Sequence, residues 1–539
     1  MLVHRIKREP LLAVVIVAIV AALALFVLYP ILRVFTYPGA ADWARMARDS
    51  RYLKAALHSL LMVVLATGSA TLFGFLFAYA IAKTDMPLRG FFKGILILPL
   101  FSPPFMVAFA YLMMFGRSGL ITHGIFGVRT NILGWHGLWL SETISFFPMA
   151  ALAIESVLRS ISPSLEYAGR NLGATGFKLF RTVTLPLATP GVAGAALLVS
   201  ILVLADFGNP IMIAGDFSVL ATEAWMRVEG WADVKGAAVL SAALLLPSAI
   251  IFVAQRTWVG RRSYVTVTGK TAAIGPERVA WYVRWGLFAF CLAVSIMIVL
   301  VYVALLAGAF VNGWGFDWSP TLKWLGDLGH HVRELVRSLV YSLVAGAASA
   351  LFAMISAYLV ARKRFPLRRV VDFVCILPAA LPGIFLGIGY SISFTRRPLD
   401  LYGTSAIVIL SLLFWNISTG YQTGVGALKQ ISPSLGEAAS NLGAGSMRIF
   451  REIEVPLLRG PFFSAFIVGF IRSITTLSVI VFLATVSNSV VTFSIMNLVN
   501  DGFYGKAAAL TTVLLAISLG VLGVARGVVG KSLDLFQAK

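Results

Sequence analysis

Two residues of opposite charge stand where an apolar chain rarely carries them. Asp206 closes the apolar stretch that follows Pro186, and Arg472 lies inside the stretch that follows Pro456. A charge near the middle of a bilayer costs at least ~2.5 kcal/mol, so such a side chain usually faces a partner or a wet cavity. With Pro186 aligned on Pro456, Arg472 falls on Leu202, one helical turn from Asp206. If the two stretches are equivalent, carboxylate and guanidinium can approach across a central pathway, with Asn209, Thr475 and Thr476 beside them. Their chemistry would be to line or gate that pathway. The plainer alternative is an interhelical salt bridge, or an Asp206 solvated at the membrane edge.

Other candidate sets fit catalysis and metal binding poorly. His330 and His331 adjoin Arg333 and Glu334, but neighbouring histidines point to different faces, as in a solvated loop. GVVGKS at Gly527–Ser532 looks like a phosphate cradle, yet its first glycine would fall at Ala525, and it follows an apolar run instead of a strand. Cys291 and Cys375 both sit in apolar runs and offer neither a disulfide framework nor a metal-ligand spacing. H-E-x-x-H and nucleophile-elbow patterns are missing. The expectation is therefore a protein that is not an enzyme, with no metal and no cofactor of its own.

The elements that must position these residues are membrane helices. The chain has 539 residues, of which 59% are apolar and 12% charged, whereas soluble domains are nearer half apolar and a quarter charged. Several apolar runs reach the ~20 residues needed to cross a bilayer. Runs near 11–32, 56–82, 92–115, 136–157, 188–207 and 237–255 form one half, and runs near 284–310, 337–361, 370–394, 404–428, 460–483 and 506–525 form another. The first run is longer than the apolar core of a signal peptide and reads as an uncleaved span. The net charge of +21 does not indicate nucleic acid, because Lys and Arg concentrate in the loops on the side of Met1. That is the positive-inside bias, and it places both termini in the cytoplasm. One basic loop, from Arg33 to Lys54, falls on the opposite side, against this trend.

The expected fold is all-α and polytopic, with about twelve transmembrane helices in two parallel six-helix repeats. Helices are expected because open sheet edges cannot be satisfied in lipid. The domains would be a first transmembrane half at 1–260, a cytoplasmic linker at 261–280 and a second half at 281–539. The halves repeat in detail. The stretch from Ser59 to Arg89 reappears from Ser338 to Arg368, and at the same offset Pro87, Pro99 and Pro103 find Pro366, Pro378 and Pro382. A mainly polar segment also occurs twice, without a gap between the copies: ISPSLEYAGRNLGATGFKLFRTVTLPL from Ile161 and ISPSLGEAASNLGAGSMRIFREIEVPL from Ile431. Each has the grammar of a short helix begun at Ser-Pro, ended at Gly173 or Gly443, and followed by a second helix that Pro186 or Pro456 stops. GIFLG at Gly383–Gly387 and GYQTG at Gly420–Gly424 have the small-xxx-small spacing of close helix packing.

The repeated segment resembles the EAA loop of ABC importer permeases, a pattern of E-A-A, three residues, Gly, nine residues and I-x-L-P. The second copy supplies Glu437, Ala438, Ala439, Gly443, Ile453 and Pro456; the first has Tyr167, Ala168 and Gly169 in place of E-A-A, then Gly173, Leu185 and Pro186. The resemblance implies that both loops are coupling sites for two copies of a cytoplasmic ABC ATPase, which would consume the ATP. It also implies a periplasmic solute-binding protein as partner and a place in a bacterial inner membrane, among lipid. LADFGNPIMI, LATEAW and RRSYVTVTGK make the chain look most like the fused, ferric-iron type, with thiamine, polyamine, phosphonate and sugar-phosphate permeases as related alternatives. The acids Asp216, Glu223 and Glu229 could meet the binding protein. An ion-coupled secondary carrier is the alternative of another class, but it leaves the two EAA-like loops unexplained.

Overall fold

The structure is a computed structural model that describes residues 10–259, 279–395, 399–432 and 434–529. RRSYVTVTGK, most of the linker, GVVGKS and Pro433 lie wholly or partly outside the described residues. Among the described residues twelve main helices carry the fold. In the first half these are α1 (Pro10–Thr36), α2 (Ser50–Lys83), α3 (Phe105–Phe115), α4 (Trp135–Ser160), α5 (Gly176–Ala205) and α6 (Val234–Ala254). In the second they are α7 (Trp281–Ala309), α8 (Val332–Arg362), α9 (Gly383–Ser393), α10 (Ser405–Gln430), α11 (Arg459–Thr475) and α12 (Tyr504–Val529).

Among the described residues nine helices are long and apolar enough to cross a bilayer, or eleven if each of two bent pairs is one span. The expected twelfth is α10. It has the length, 26 residues, but carries Asn416, Ser418, Thr419 and Gln422. Its polar groups are walled by protein: Asn416 and Ser418 are buried, and Gly420 and Gly424 sit so close to α8 that a Cβ on either would come within 2.9 Å of Ala353 or Ala357. The small-residue spacing there is thus a packing device. One departure from an all-helical chain is a short antiparallel hairpin, Val311–Gly313 with Asp317–Pro320, between α7 and α8. Ser319 and Asn312 hydrogen-bond the Asp317 carboxylate there and hold it below the usual carboxylate range.

The expected spans at 92–115 and 370–394 are both broken. Arg89–Ile97 passes into a tight turn at Leu98–Phe101 before α3 starts; Arg368–Ile376 passes into Leu377–Ala380 and then bends by 114° into α9. Pro99, Pro103 and Pro104 in one half, and Pro378 and Pro382 in the other, remove the amide donors that a continuous helix would need. The chain enters each broken unit through a leucine in the left-handed region, Leu88 at φ 58° and Leu367 at φ 65°. These two leucines hold equivalent positions in the repeat, each just before the matching Arg89 and Arg368.

The first helix of each half packs on the opposite half. Along α1, the Phe26 ring stacks on Phe414 at 5.1 Å, the Phe26 carbonyl accepts the Tyr390 hydroxyl at 2.7 Å, and Pro30 seats against Gly389. Along α7, Phe290 meets Phe73 at 5.4 Å, Phe288 meets Phe92 at 5.5 Å, and the Tyr302 and Ser102 hydroxyls bond at 2.7 Å. The two sequence halves therefore embrace each other. The unexpected basic loop after α1 is also accounted for. Arg45 lies 3.3 Å from Asp42 and 3.5 Å from Asp233, and Arg51 lies 4.0 Å from Glu223, so acids on the same end of the body offset part of its charge.

A Cβ at Gly389 would stand 3.1 Å from the Pro30 carbonyl oxygen, whereas nothing lies within 4 Å of one at Gly68. Gly389→Leu should therefore destabilise the protein by ~1–3 kcal/mol, seen as a lower thermal midpoint in detergent. Gly68→Leu should leave that midpoint in place.

Candidate functional site

Both EAA-like loops adopt one backbone. The first short helix, the candidate docking helix, is Pro163–Asn171 and its counterpart is Ser434–Asn441. Gly173 (φ 83°) and Gly443 (φ 84°) end them in the left-handed conformation that glycine accepts most cheaply. Ala174 N donates to Gly169 O and Gly173 N to Arg170 O; Ala444 N to Ala439 O and Gly443 N to Ser440 O repeat that closure. The Ser162 hydroxyl does not cap the first helix; it bonds Ser164 at 2.7 Å instead, as Ser432 bonds Ser434.

Pro186 behaves differently from expectation. Helix α5 runs without interruption from Gly176 through Pro186 to Ala205, because a wide π-type turn at Phe180–Thr184 absorbs the missing donor. The second loop has the same turn at Phe450–Glu454 before Pro456 but then bends by 54° at Leu458. The second part of each loop is thus joined to the root of the next membrane helix, continuously at α5 and through a bend at α11.

The residues carried over from the motif lie where a partner can reach them. Tyr167, Ala168, Gly173, Pro186, Glu437, Ala438, Gly443 and Pro456 are exposed, and Gly169 and Ala439 are half-buried. At Gly169 a Cβ would lie 2.9 Å from a Leu179 methyl and 3.1 Å from a Val183 methyl, so an alanine there would need those side chains to shift. Arg170 lies over the Tyr167 ring at 5.5 Å. The most exposed apolar side chains of the loops are Leu172 at 86% and Leu442 at 90%, one residue before each glycine. The two leucines hold equivalent positions at the tips of the two repeats.

Sequence reasoning missed the groups that fasten the loops. Lys83 Nζ reaches Glu166 Oε1 at 2.9 Å, and Thr184 Oγ1 donates to the same oxygen at 3.2 Å. In the other half Arg362 Nε lies 3.0 Å from Glu454 Oε1, off the N–H axis, while its Nη2 donates to the Ile431 carbonyl at 3.0 Å. Lys83 and Arg362 hold equivalent positions in the repeat, at the ends of α2 and α8. That equivalence was visible in the sequence, but which acid each would meet was not.

The proposed pair across the pathway is not formed. Among the described residues no ion pair joins Asp206 to Arg472, because each is satisfied within its own half. Asp206 ends α5 and caps the short helix Gly208–Ile213: Gly208 N donates to its Oδ1 at 3.0 Å and Asn209 Nδ2 to its Oδ2 at 2.7 Å. The Asn209 side-chain oxygen in turn accepts the Ser141 hydroxyl at 2.6 Å. Arg472 is inside α11, where it donates to Thr419 Oγ1 at 3.1 Å and lies over the Trp415 ring at 4.5 Å. Thr475 bonds back to Ile471 O at 2.7 Å, and the Thr476 carbonyl accepts from Thr492.

A further carboxylate was overlooked. Glu142, on α4, is 1% exposed, its Oε2 has no hydrogen-bond partner, and Asp206 is near enough to repel it. In the sequence it passes as the polar start of a span. On the loop after α5, Asp216 and Glu229 are exposed, but Glu223 is buried against Arg51 and cannot serve as a surface acid. Asp216, with His58, Trp135 and His136, borders a cleft of about 460 Å³. Among the described residues no group of three or more His, Cys, Asp or Glu could hold a metal ion, and Cys291 and Cys375 are buried and unpaired.

Comparison with known proteins places this geometry in context. Residues 70–263 and 349–529 each match the family described as "Binding-protein-dependent transport system inner membrane component". The chain is 30% identical over 528 residues to the ferric transport system permease protein FbpB of Actinobacillus pleuropneumoniae, covering 94% of this chain and 77% of that protein. It is 30% identical over 496 residues to the putative ferric transport system permease protein FbpB 1 of Haemophilus influenzae, covering 88% and 78%. A shorter match, 34% identical over 161 residues, is to the molybdenum transport system permease protein ModB of Escherichia coli, covering 29% and 70%. Both matched regions begin after the exchanged helices α1 and α7.

Glu142→Gln should raise the thermal midpoint, since an ionisable group buried beside Asp206 with no partner for its Oε2 is replaced by a neutral one of the same shape. The gain should be ~1–3 kcal/mol. A lowered midpoint would mean that the carboxylate is engaged by a group it needs.

Proposed function

The chain belongs to the family of binding-protein-dependent transport system inner membrane components, and from that premise we propose that it imports ferric iron, delivered by a periplasmic binding protein, through ATP-driven alternating access. It is a fused permease of the ABC importer class, a multi-pass protein of the inner membrane and not a member of an enzyme family. The finer assignments belong to the proposal: two ATPase copies beneath the docking helices, both termini in the cytoplasm, and halves at 1–260 and 281–539 joined by a linker at 261–280. Membrane lipid is the surrounding medium, and no nucleic acid takes part.

One observation carries the coupling role. Two docking helices of the same backbone expose a leucine tip, and each leads into the root of a membrane helix, α5 or α11. A helix is stiff along its axis, so closure of a dimeric ATPase against both tips would tilt α5 and α11 together. Tyr167, Ala168 and Gly169 in the first half, and Glu437, Ala438 and Ala439 in the second, would form the contact surfaces. Gly173 and Gly443 would hold the tips, with Pro186 and Pro456 at the helix roots.

At the far ends of α5 and α11 stand the residues assigned to the pathway: Asp206 and Asn209 on one side, Arg472, Thr475 and Thr476 on the other. They are assigned now as separate contributions of the two halves, without a direct ion pair. The names of the full-length relatives support iron as cargo, and the buried carboxylates Glu142 and Asp206 favour a cation. Arg472, with no acid against it among the described residues, favours an oxyanion, as does the similarity to a molybdenum permease. Oxyanion import is therefore the second reading.

Reconstituted with its ATPase and binding protein, the chain should take up ferric iron only when ATP is present. Uptake of molybdate in place of iron would select the second reading. Uptake driven by a proton or sodium gradient without ATPase would refute the importer assignment. Leu172→Asp and Leu442→Asp should each cut ATP-driven uptake at least ~10-fold, the equivalent of ~1.4 kcal/mol of lost contact, with the thermal midpoint unchanged because both leucines are free in the chain. Arg472→Leu should also lower uptake at equal expression, and full uptake would remove it from the pathway.

A further inference from the structure

The two docking helices share a backbone but differ in how they are fastened. The anchoring cations are equivalent: Lys83 ends α2 and Arg362 ends α8. The acids are not. With the two copies of the repeated segment aligned, Glu166 corresponds to Gly436, and Glu454 corresponds to Thr184. The carboxylate has moved from the docking helix in one half to the root of the next helix in the other.

This relocation changes what is tied to what. In the first half Glu166 stands on the docking helix itself, and one carboxylate oxygen receives both Lys83 and Thr184. The end of α2, the docking helix and the root of α5 therefore meet at a single buried junction. In the second half Arg362 holds Glu454, just before the root of α11, and the Ile431 carbonyl, just before the docking helix. The only charged residue of Ser434–Asn441 is Glu437, which is exposed, and among the described residues no ion pair joins that helix to the body.

Resting on the assignment of these loops as docking helices, we propose that Lys83 and Glu166 are positioning residues that clamp the first docking helix rigidly to the membrane body, while the second, fastened among the described residues by Arg362 at its two ends, moves relative to the body. Two identical ATPase subunits would then act on unlike handles. A push on the first docking helix would pass directly into α2 and α5. A push on the second would first take up the freedom of Ser434–Asn441 and then act through α11.

The test reads the geometry directly and needs neither ATPase nor cargo, so it stands apart from the transport assignment. Spin labels are placed on the full chain in lipid nanodiscs, with Cys291 and Cys375 replaced by alanine. One labelled variant carries Leu88→Cys and Leu172→Cys, and the equivalent one carries Leu367→Cys and Leu442→Cys. All four leucines are exposed. The first pair should give a distance distribution about half as wide as the second. Glu166→Gly should broaden the first to the width of the second. Adding Thr184→Glu, which re-creates the second half's arrangement, should restore any lost thermal midpoint while leaving the distribution broad. Equal widths in the two native halves would overturn the proposal, as would a first distribution that stays narrow in both Glu166 variants.

Discussion

A backbone amide inside a bilayer has no water to bond, and nearly every feature of this chain answers to that constraint. It makes the long elements helical. It also confines irregular backbone to places walled by protein. The breaks before α3 and α9, at three prolines and at two, lie against neighbouring helices, and Phe101, Phe105, Leu381 and Ile384 beside them are buried. Pro186 and Pro456, at the roots of α5 and α11, are tolerated because a wide turn before each redistributes the donors.

The exchange of α1 and α7 gives the two halves a common body. Each first helix packs on the other half through aromatic rings; α1 also seats against a glycine there, while α7 keeps its contact with α12 of its own half. On the proposed function, movement at the two EAA-like loops would be passed to the remaining helices. Those loops lie at the roots of α5 and α11, while Asp206 and Arg472 occupy their far portions. On the proposed function, the lever from partner surface to pathway would be one helix long in each half.

Duplication made the halves alike in backbone, and substitution has since made them unlike in charge. Glu142 and Asp206 on one side correspond to Leu412 and Thr476 on the other, and Arg472 corresponds to Leu202. A pathway built from such halves is not symmetric for a charged cargo. The loop anchors followed the same course: the cations at Lys83 and Arg362 stayed in register while their acids changed position. An ion pair needs only that opposite charges meet in space, so the acid can be supplied from any segment that passes the cation.

The sequence alone determined the class of the fold, its duplication and the repeated helix-glycine-helix backbone of the two EAA-like loops. Those properties are periodic or local: apolar runs of membrane length, repeats at fixed spacing, and glycines that a helix end requires. Tertiary structure decided the rest. The exchange of first helices, the breaks at the paired prolines, the burial of Glu223 and Glu142, and the partners of Asp206 and Arg472 all depend on which surfaces face each other. Spacing along the chain cannot state that. The approach of Asp206 to Arg472 that the alignment allowed is not made, for this reason: neighbouring positions in two aligned helices need not point at one another, and a carboxylate at a helix end takes the nearest amides before it reaches for a distant guanidinium.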